Sequence, residues 1–374
     1  MNYISNIDTI CILIDTENFE QVSVNILERL QKEKELAKSN YTRDANYKHL
    51  ININNLDFYL SPSGTKGYSY ILQNTGFQIN LAQFRSKLEN FAPIQVRISS
   101  EYLWAYGLST SWSIIHNWIV ETFGNISIEK VFRIDLCSHI SAIDFVTDYC
   151  LVYKGNFKKK QIFYTGNSIS AITFGSRKSK NIYCRIYNKT LEIQEMKHKS
   201  WFYEIWENNH LDINNVWNIE FEIKSECLRQ FNINTVEDIL THLQSLWKYC
   251  TTKWLVKVDR INERIERCPI NSDWQDIQRN YDKFHSFELI KAEKQLSSDA
   301  NILVPNIVGN ITSYSARKKK ININEAFYNL YFETKKYLRH KDTCFEDEVN
   351  KKIAFLGKSE VIKNVRNTNN TRNF

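Results

Sequence analysis

Up to about residue 265, apolar and polar positions alternate in short runs with the two-residue period of strands. Longer stretches with helical spacing interrupt them. The run TICILI at 9–14 predicts a strand, and Phe19 to Lys38 predicts an amphipathic helix with Val22, Ile26, Leu27 and Leu30 on one side. Strand patterns follow at 49–60, 67–72 and 77–81, separated by the turn signals Ser61-Pro62-Ser63-Gly64 and Asn74-Thr75-Gly76; they predict an antiparallel meander. PIQVRIS at 93–99 alternates again, and 109–123 reads as a helix. KVFRIDLC at 130–137, a hairpin at 161–174 turning on Gly166-Asn167, a strand over 181–189 and VWNIEFEIK at 216–224 complete the strand set. Helices are predicted over 192–207 and over 235–252, the latter capped by Thr235.

Beyond residue 265 the pattern turns helical, around 274–287, 324–340 and 345–355, with 297–310 as a linker or long turn. The expected organisation is an α+β domain built on an antiparallel sheet over 1–265, a helical C-terminal region over 266–357 and a disordered tail over 358–374.

Composition narrows the function classes. The chain has 374 residues, 43% hydrophobic and 24% charged, enough for a sizeable core. A net charge of +7 is compatible with nucleic acid without diagnosing it. The 8 Cys are scattered with no Cys-x-x-Cys pair, which argues against a zinc module. No signal peptide and no bilayer-spanning apolar run is visible, so a cytoplasmic protein without a membrane partner is expected.

Three strands carry polar faces of compatible chemistry. One bears Arg133 and Asp135, one bears Tyr183, Arg185, Tyr187 and Lys189, and one bears Glu220, Glu222 and Lys224. On a single strand such a face reads as a solvated ladder of ion pairs. If the three strands are neighbours, carboxylates, cations and a tyrosine converge. Hard carboxylate oxygens suit Mg2+ or Mn2+. A phenol, with an ordinary pKa of about 10, attacks phosphate only with positive charge nearby. That sum is a tyrosine transesterase acting on a phosphodiester, with Tyr183, Tyr187 and Tyr203 all open as the nucleophile.

The ordered set RID at 133–135, FGSRKS at 174–179, RIYNK at 185–189 with Glu192 close behind, and WNIEFEIK at 217–224 resembles the rolling-circle replication initiation factor family. RISSEYLWAYG at 97–107 and LRQFNINTVEDIL at 228–240 extend the resemblance over roughly 50–280. Relaxases of some integrative conjugative elements look similar. The resemblance implies a nicking domain of HUH-like layout, an antiparallel sheet with packed helices. It also implies origin-specific cleavage of one DNA strand through a 5′-phosphotyrosine, with later strand transfer. It selects Tyr187 as nucleophile, with Arg185 and Lys189 gripping phosphate or tuning the phenol. It implies an Mg2+ or Mn2+ site at Asp135 and Glu220, with Asn188 as a further ligand. Many family members carry an acid four residues after the aspartate. Here that position is His139, a candidate ligand in its place, with Asp144 and Asp148 as nearby acids.

Arg133, Arg177, Lys178 and Lys180 are the candidate DNA contacts, since backbone phosphate supplies most non-specific affinity. Lys158 to Lys160 and Arg317 to Lys320 are further basic clusters. The expected partners are single-stranded or hairpin origin DNA and, by resemblance, a host helicase of the UvrD type; a homodimer is left open. Two other readings remain: a relaxase starting conjugative transfer, and a DNA-binding regulator that keeps the scaffold without catalysis.

Overall fold

The computed structural model describes residues 2–43, 47–84, 91–141, 152–196, 199–284, 286–289, 304–319, 322–350 and 352–353. The protein is α+β. Its strands are β1 (Tyr3–Thr16), β2 (His49–Ile53), β3 (Leu56–Leu60), β4 (Tyr70–Gln73), β5 (Phe77–Leu81), β6 (Ile94–Ile98), β7 (Ile126–Ile140), β8 (Tyr153–Gly155), β9 (Lys160–Thr165), β10 (Ser168–Gly175), β11 (Ile182–Asn188), β12 (Trp217–Lys224) and β13 (Leu255–Lys257). Eleven of them form one sheet in the order β2-β3-β4-β5-β6-β1-β7-β12-β11-β10-β9. Every pairing within it is antiparallel. β8 and β13 pair separately.

The sheet's two faces follow from strand parity. Ile10, Ile12 and Ile14 on β1, Ile134 and Leu136 on β7, and Ile219, Phe221 and Ile223 on β12 enter the main core. Helices α1 (Phe19–Val22), α2 (Val24–Arg43), α3 (Ser100–Phe123) and α7 (Val236–Tyr249) add residues to that core, among them Phe19, Leu30, Ile115, Ile119, Ile239 and Leu246. The helix expected from Phe19 is thus two helices, parted at Ser23, whose hydroxyl bonds back to the Phe19 carbonyl. The expected strand 49–60 is a hairpin: Asn54 and Asn55 both take positive φ (45° and 64°), as a tight two-residue turn between strands requires.

Two breaks aim side chains at the other face. α3 is interrupted at Gly107 (φ 74°, ψ 167°), a conformation that a Cβ disfavours. Its first segment carries Trp104 into a small second cluster, whose buried members are Ile193, Phe202, Trp206, Leu211 and Val216. Those residues come largely from α4 (Lys189–Met196) and α5 (Phe202–Asn208), where a single helix over 192–207 was expected. Two short helices follow, α6 (Ser225–Gln230) and α8 (Ser272–Gln278), and the Thr235 cap of α7 is a full capping box with Asp238.

The chain divides into compact units Met1–Lys291 and Ala292–Phe374. Residues 266–284, grouped above with the C-terminal helices, pack within the first unit. Trp274, Ile277 and Tyr281 are fully buried, and Tyr281 stacks on Trp247 with ring centroids 4.6 Å apart. The second unit contains α9 (Val304–Lys318) and α10 (Ile323–His340), so 304–310 is helix where a linker was expected. The tail 358–374 lies outside the described residues, as do Asp144 and Asp148. No helix among the described residues is long and apolar enough to cross a membrane.

Candidate active site

The three polar strands are adjacent, in the order β7-β12-β11, and their polar faces share one side. Register sets Asp135 beside Glu222, Cys137 beside Glu220, and His139 beside Asn218. On the next strand Tyr183, Arg185 and Tyr187 sit beside Glu222, Glu220 and Asn218. Asp135, Glu220, Glu222 and Lys189 are all at most 2% exposed, so this is no solvated ladder.

Tyr187 is partly buried, and its hydroxyl is held by three side chains. It donates to Glu220 Oε2 at 3.2 Å and accepts from Asn218 Nδ2 at 2.9 Å and Lys189 Nζ at 3.2 Å. The Arg185 guanidinium and the Lys189 ammonium lie 5.5 and 5.3 Å from the ring centroid. Arg185 pairs with Glu220 Oε1, and Lys189 also pairs with Glu192. Burial, reinforced by the carboxylates of Glu220, Glu192 and Asp8, pushes the phenol well above its ordinary pKa. The phenol is therefore neutral at rest. Ionising it calls for a base in contact, and Glu220 is that contact.

The other expected residues separate. Arg133 grips Asp135 with two parallel bonds, Nε to Oδ1 at 2.9 Å and a terminal nitrogen to Oδ2 at 2.6 Å, and reaches Glu222 at 3.1 Å. It is tied into the sheet rather than presented to solvent. Burial, with Glu220 and Glu222 adding to it against the pull of Arg133, pushes the Asp135 carboxyl up to about 7. Arg177, Lys178 and Lys180 are exposed on the turn between β10 and β11.

His139 shares the row of Asn218 and Tyr187 yet does not join their network. Trp104 stacks on it at 5.0 Å, Phe202 meets it edge-on at 4.7 Å, and Trp206 Nε1 donates to its Nδ1 at 3.0 Å. Burial in this aromatic box holds its pKa well below the ordinary value, so the ring is neutral. Asn188 also corrects an expectation. Its parity is opposite to that of Tyr187, and its Oδ1 accepts from the Leu191 N–H at 3.0 Å, in the first turn of α4.

The fit to a divalent cation can be judged from the donors. Mg2+ or Mn2+ needs several hard oxygens free to converge. Asp135 commits both oxygens to Arg133, Glu220 divides between Arg185 and the Tyr187–Asn218 pair, and Glu222 pairs with Arg133 and Lys224. Among the described residues no group of three or more His, Cys, Asp or Glu side chains is arranged to hold a metal. Among the described buried atoms without a hydrogen-bond partner here are Asn218 Oδ1, Glu222 Oε2 and His139 Nε2, which suit a cation, and Arg185 Nε, which does not; the Arg133 guanidinium already lies against Glu222 Oε2, and aromatic rings enclose His139. The set as arranged does not fit a metal.

Two site residues were not anticipated. Asn218 shares parity with Glu220, so strand alternation alone placed it on this face. Asp8 is hidden by a bulge. β1 pairs Ile7 with Leu136 and Thr9 with Asp135, leaving Asp8 as an extra residue turned to the polar side. There it accepts from Ser100 Oγ at 2.7 Å. The Tyr281 hydroxyl accepts from the Cys137 N–H at 3.1 Å and donates to the Asn6 carbonyl at 2.6 Å, bridging the two strands near the shift.

No family model matches the chain, and no curated protein matches it in sequence. Among solved structures it is similar to the rolling circle replication initiator protein from Geobacillus stearothermophilus. That likeness has a TM-score of 0.44 and 13% identity, and covers 77% of this chain and 100% of the other.

Proposed function

We propose that the protein is an origin-specific DNA strand nicking and joining enzyme that starts rolling-circle replication through Tyr187. One observation carries the reading: the Tyr187 hydroxyl sits between an acceptor carboxylate, Glu220, and two donors, Lys189 and Asn218. In the proposed step the phenol proton passes to Glu220 as the phenol oxygen attacks phosphorus. The bond from phosphorus to the 3′ oxygen breaks, and that oxygen takes a proton from solvent. The 5′ phosphate stays on Tyr187. Lys189 and Arg185 offset charge on the phosphate, the role that oriented donors play in low-dielectric sites. The motif set from RID to WNIEFEIK supports the replication role over a generic tyrosine transesterase. The exposed turn bearing Arg177, Lys178 and Lys180 is proposed to meet DNA backbone.

The metal requirement that the resemblance implies stays outside this step, because the described carboxylates are already paired. The test is a Tyr187→Phe variant incubated with single-stranded DNA carrying the protein's own origin. The wild type forms an adduct stable to denaturant, with the phosphate mapped to Tyr187 by peptide mass; the variant binds DNA and forms none. An adduct on the variant would assign the nucleophile elsewhere, and a wild type that binds without ever forming one would favour the regulator.

A further inference from the structure

Beside the tyrosine network lies a cleft of about 390 Å3 on the β5–β6–β1 side of the sheet's polar face. Its size falls within the range of about 300–1,000 Å3 typical of small-ligand sites. Asp8, Gln78, Arg97, Ser99, Lys199 and Trp201 are among the residues that line it. Register places Gln78 beside Arg97 and Arg97 beside Cys11, so the cleft rests on rigid strands. Trp201 is partly exposed and stacked on Phe202 at 3.8 Å between centroids, which fixes its plane. Asp8 connects the cleft to the chemistry. It lines the cleft, and its charge reaches both Lys189 and Tyr187, with Lys199 its largest counter-charge.

We propose that this cleft holds one unpaired nucleotide of the DNA strand next to the phosphate attacked by Tyr187. The inference rests on the function proposed above. Trp201 offers a stacking plane for the base, Arg97 and Lys199 take the flanking phosphate, and the Gln78 amide and Asp8 carboxylate face the base edge. A base inside a duplex cannot enter, so the cleft favours single-stranded or extruded DNA.

The test uses the full chain carrying Tyr187→Phe, titrated against a labelled oligothymidylate of roughly 20 nucleotides. Trp201→Ala is expected to weaken binding about 5- to 100-fold, with Trp201→Phe restoring most of it. Arg97→Ala, a change at an exposed side chain, is expected to weaken binding and lower the salt slope by about one. Photo-crosslinking with 5-iododeoxyuridine in the oligonucleotide should label the peptide containing Trp201. Unchanged affinity in both Trp201→Ala and Arg97→Ala, equal competition by the matching duplex, or crosslinks confined to the 176–180 turn would each overturn the proposal. If the wild type forms no adduct but Trp201 and Arg97 still govern affinity, the chemistry at Tyr187 fails and the cleft stands. If the adduct forms and those variants bind normally, the cleft alone fails.

Discussion

The polar face of the large sheet has two halves built on different principles. On β5 and β6 it carries one cation, Arg97, and otherwise neutral amides: Gln78 Nε2 donates to Asn80 Oδ1 at 2.8 Å, and Asn80 Nδ2 donates to Gln95 Oε1 at 2.7 Å. On β7, β12 and β11 it carries Arg133, Asp135, Glu222, Glu220 and Arg185, with Tyr187 among them and Lys189 reaching in from the start of α4. An amide ladder satisfies its members pair by pair and tolerates losses. A buried ionic lattice leaves an uncompensated charge when any member goes, and buried ion pairs are seldom the most stable use of a core position. Stability alone therefore does not account for the charged half; the step proposed above, in which a phenol is deprotonated and attacks an anion, would account for it.

The sharpest way to break this contrast is Glu220→Gln. Removing the proton acceptor while keeping the shape is expected to slow adduct formation about 100- to 10,000-fold, measured by single-turnover assay with DNA affinity nearly unchanged. A loss below tenfold would make Glu220 a structural member only. Next comes pH. Because the Asp135 carboxyl is pushed up to about 7, the folded protein holds its proton where the unfolded chain, titrating near 3.8, has released it. Its stabilising contribution is complete below pH 4 and is lost as pH rises through 7, with a slope of up to about 1.4 kcal/mol per pH unit. Urea unfolding from pH 5 to 8 should show that slope, and Asp135→Asn should flatten it. Smaller still is Arg177→Ala: weaker DNA binding and a salt slope lower by about one, by anisotropy at several salt concentrations, with no change in unfolding midpoint. Asn80→Val tests the quiet half. It should cost about 1 kcal/mol of stability and leave adduct formation untouched, since Gln78 and Gln95 remain partly exposed to water.

Strand alternation made much of this site readable. The parity of Arg185 and Tyr187, and of Glu220 and Glu222, is as expected, as is the hairpin on Gly166-Asn167, whereas Lys189, expected on the same strand, opens α4 and reaches the tyrosine from there. What alternation lacks is knowledge of what lies over a face. His139 has the right parity and the right row, but Trp206, from a helix far along the chain, closes over it. Asn188 is drawn into starting α4. Asp8 shares sequence parity with Ile10, Ile12 and Ile14, so it reads as an apolar-face position until the bulge turns it over. The C-terminal limit of the sheet domain failed to appear for a similar reason: Trp274, Ile277 and Tyr281 have helical spacing, and nothing in spacing says which core receives them.

β1 has a consequence for how the chain assembles. It precedes the other strands along the chain yet occupies the middle of the sheet, with Ile10 paired to both Ile98 and Ile134. Neither edge can be satisfied until those distant segments exist, and the row that surrounds Tyr187 waits longer, for β12. Such non-local pairing slows folding and leaves open edges exposed meanwhile. Refolding should be slow for a protein of this length, and a fragment ending before Trp217 should expose the β7 edge and aggregate.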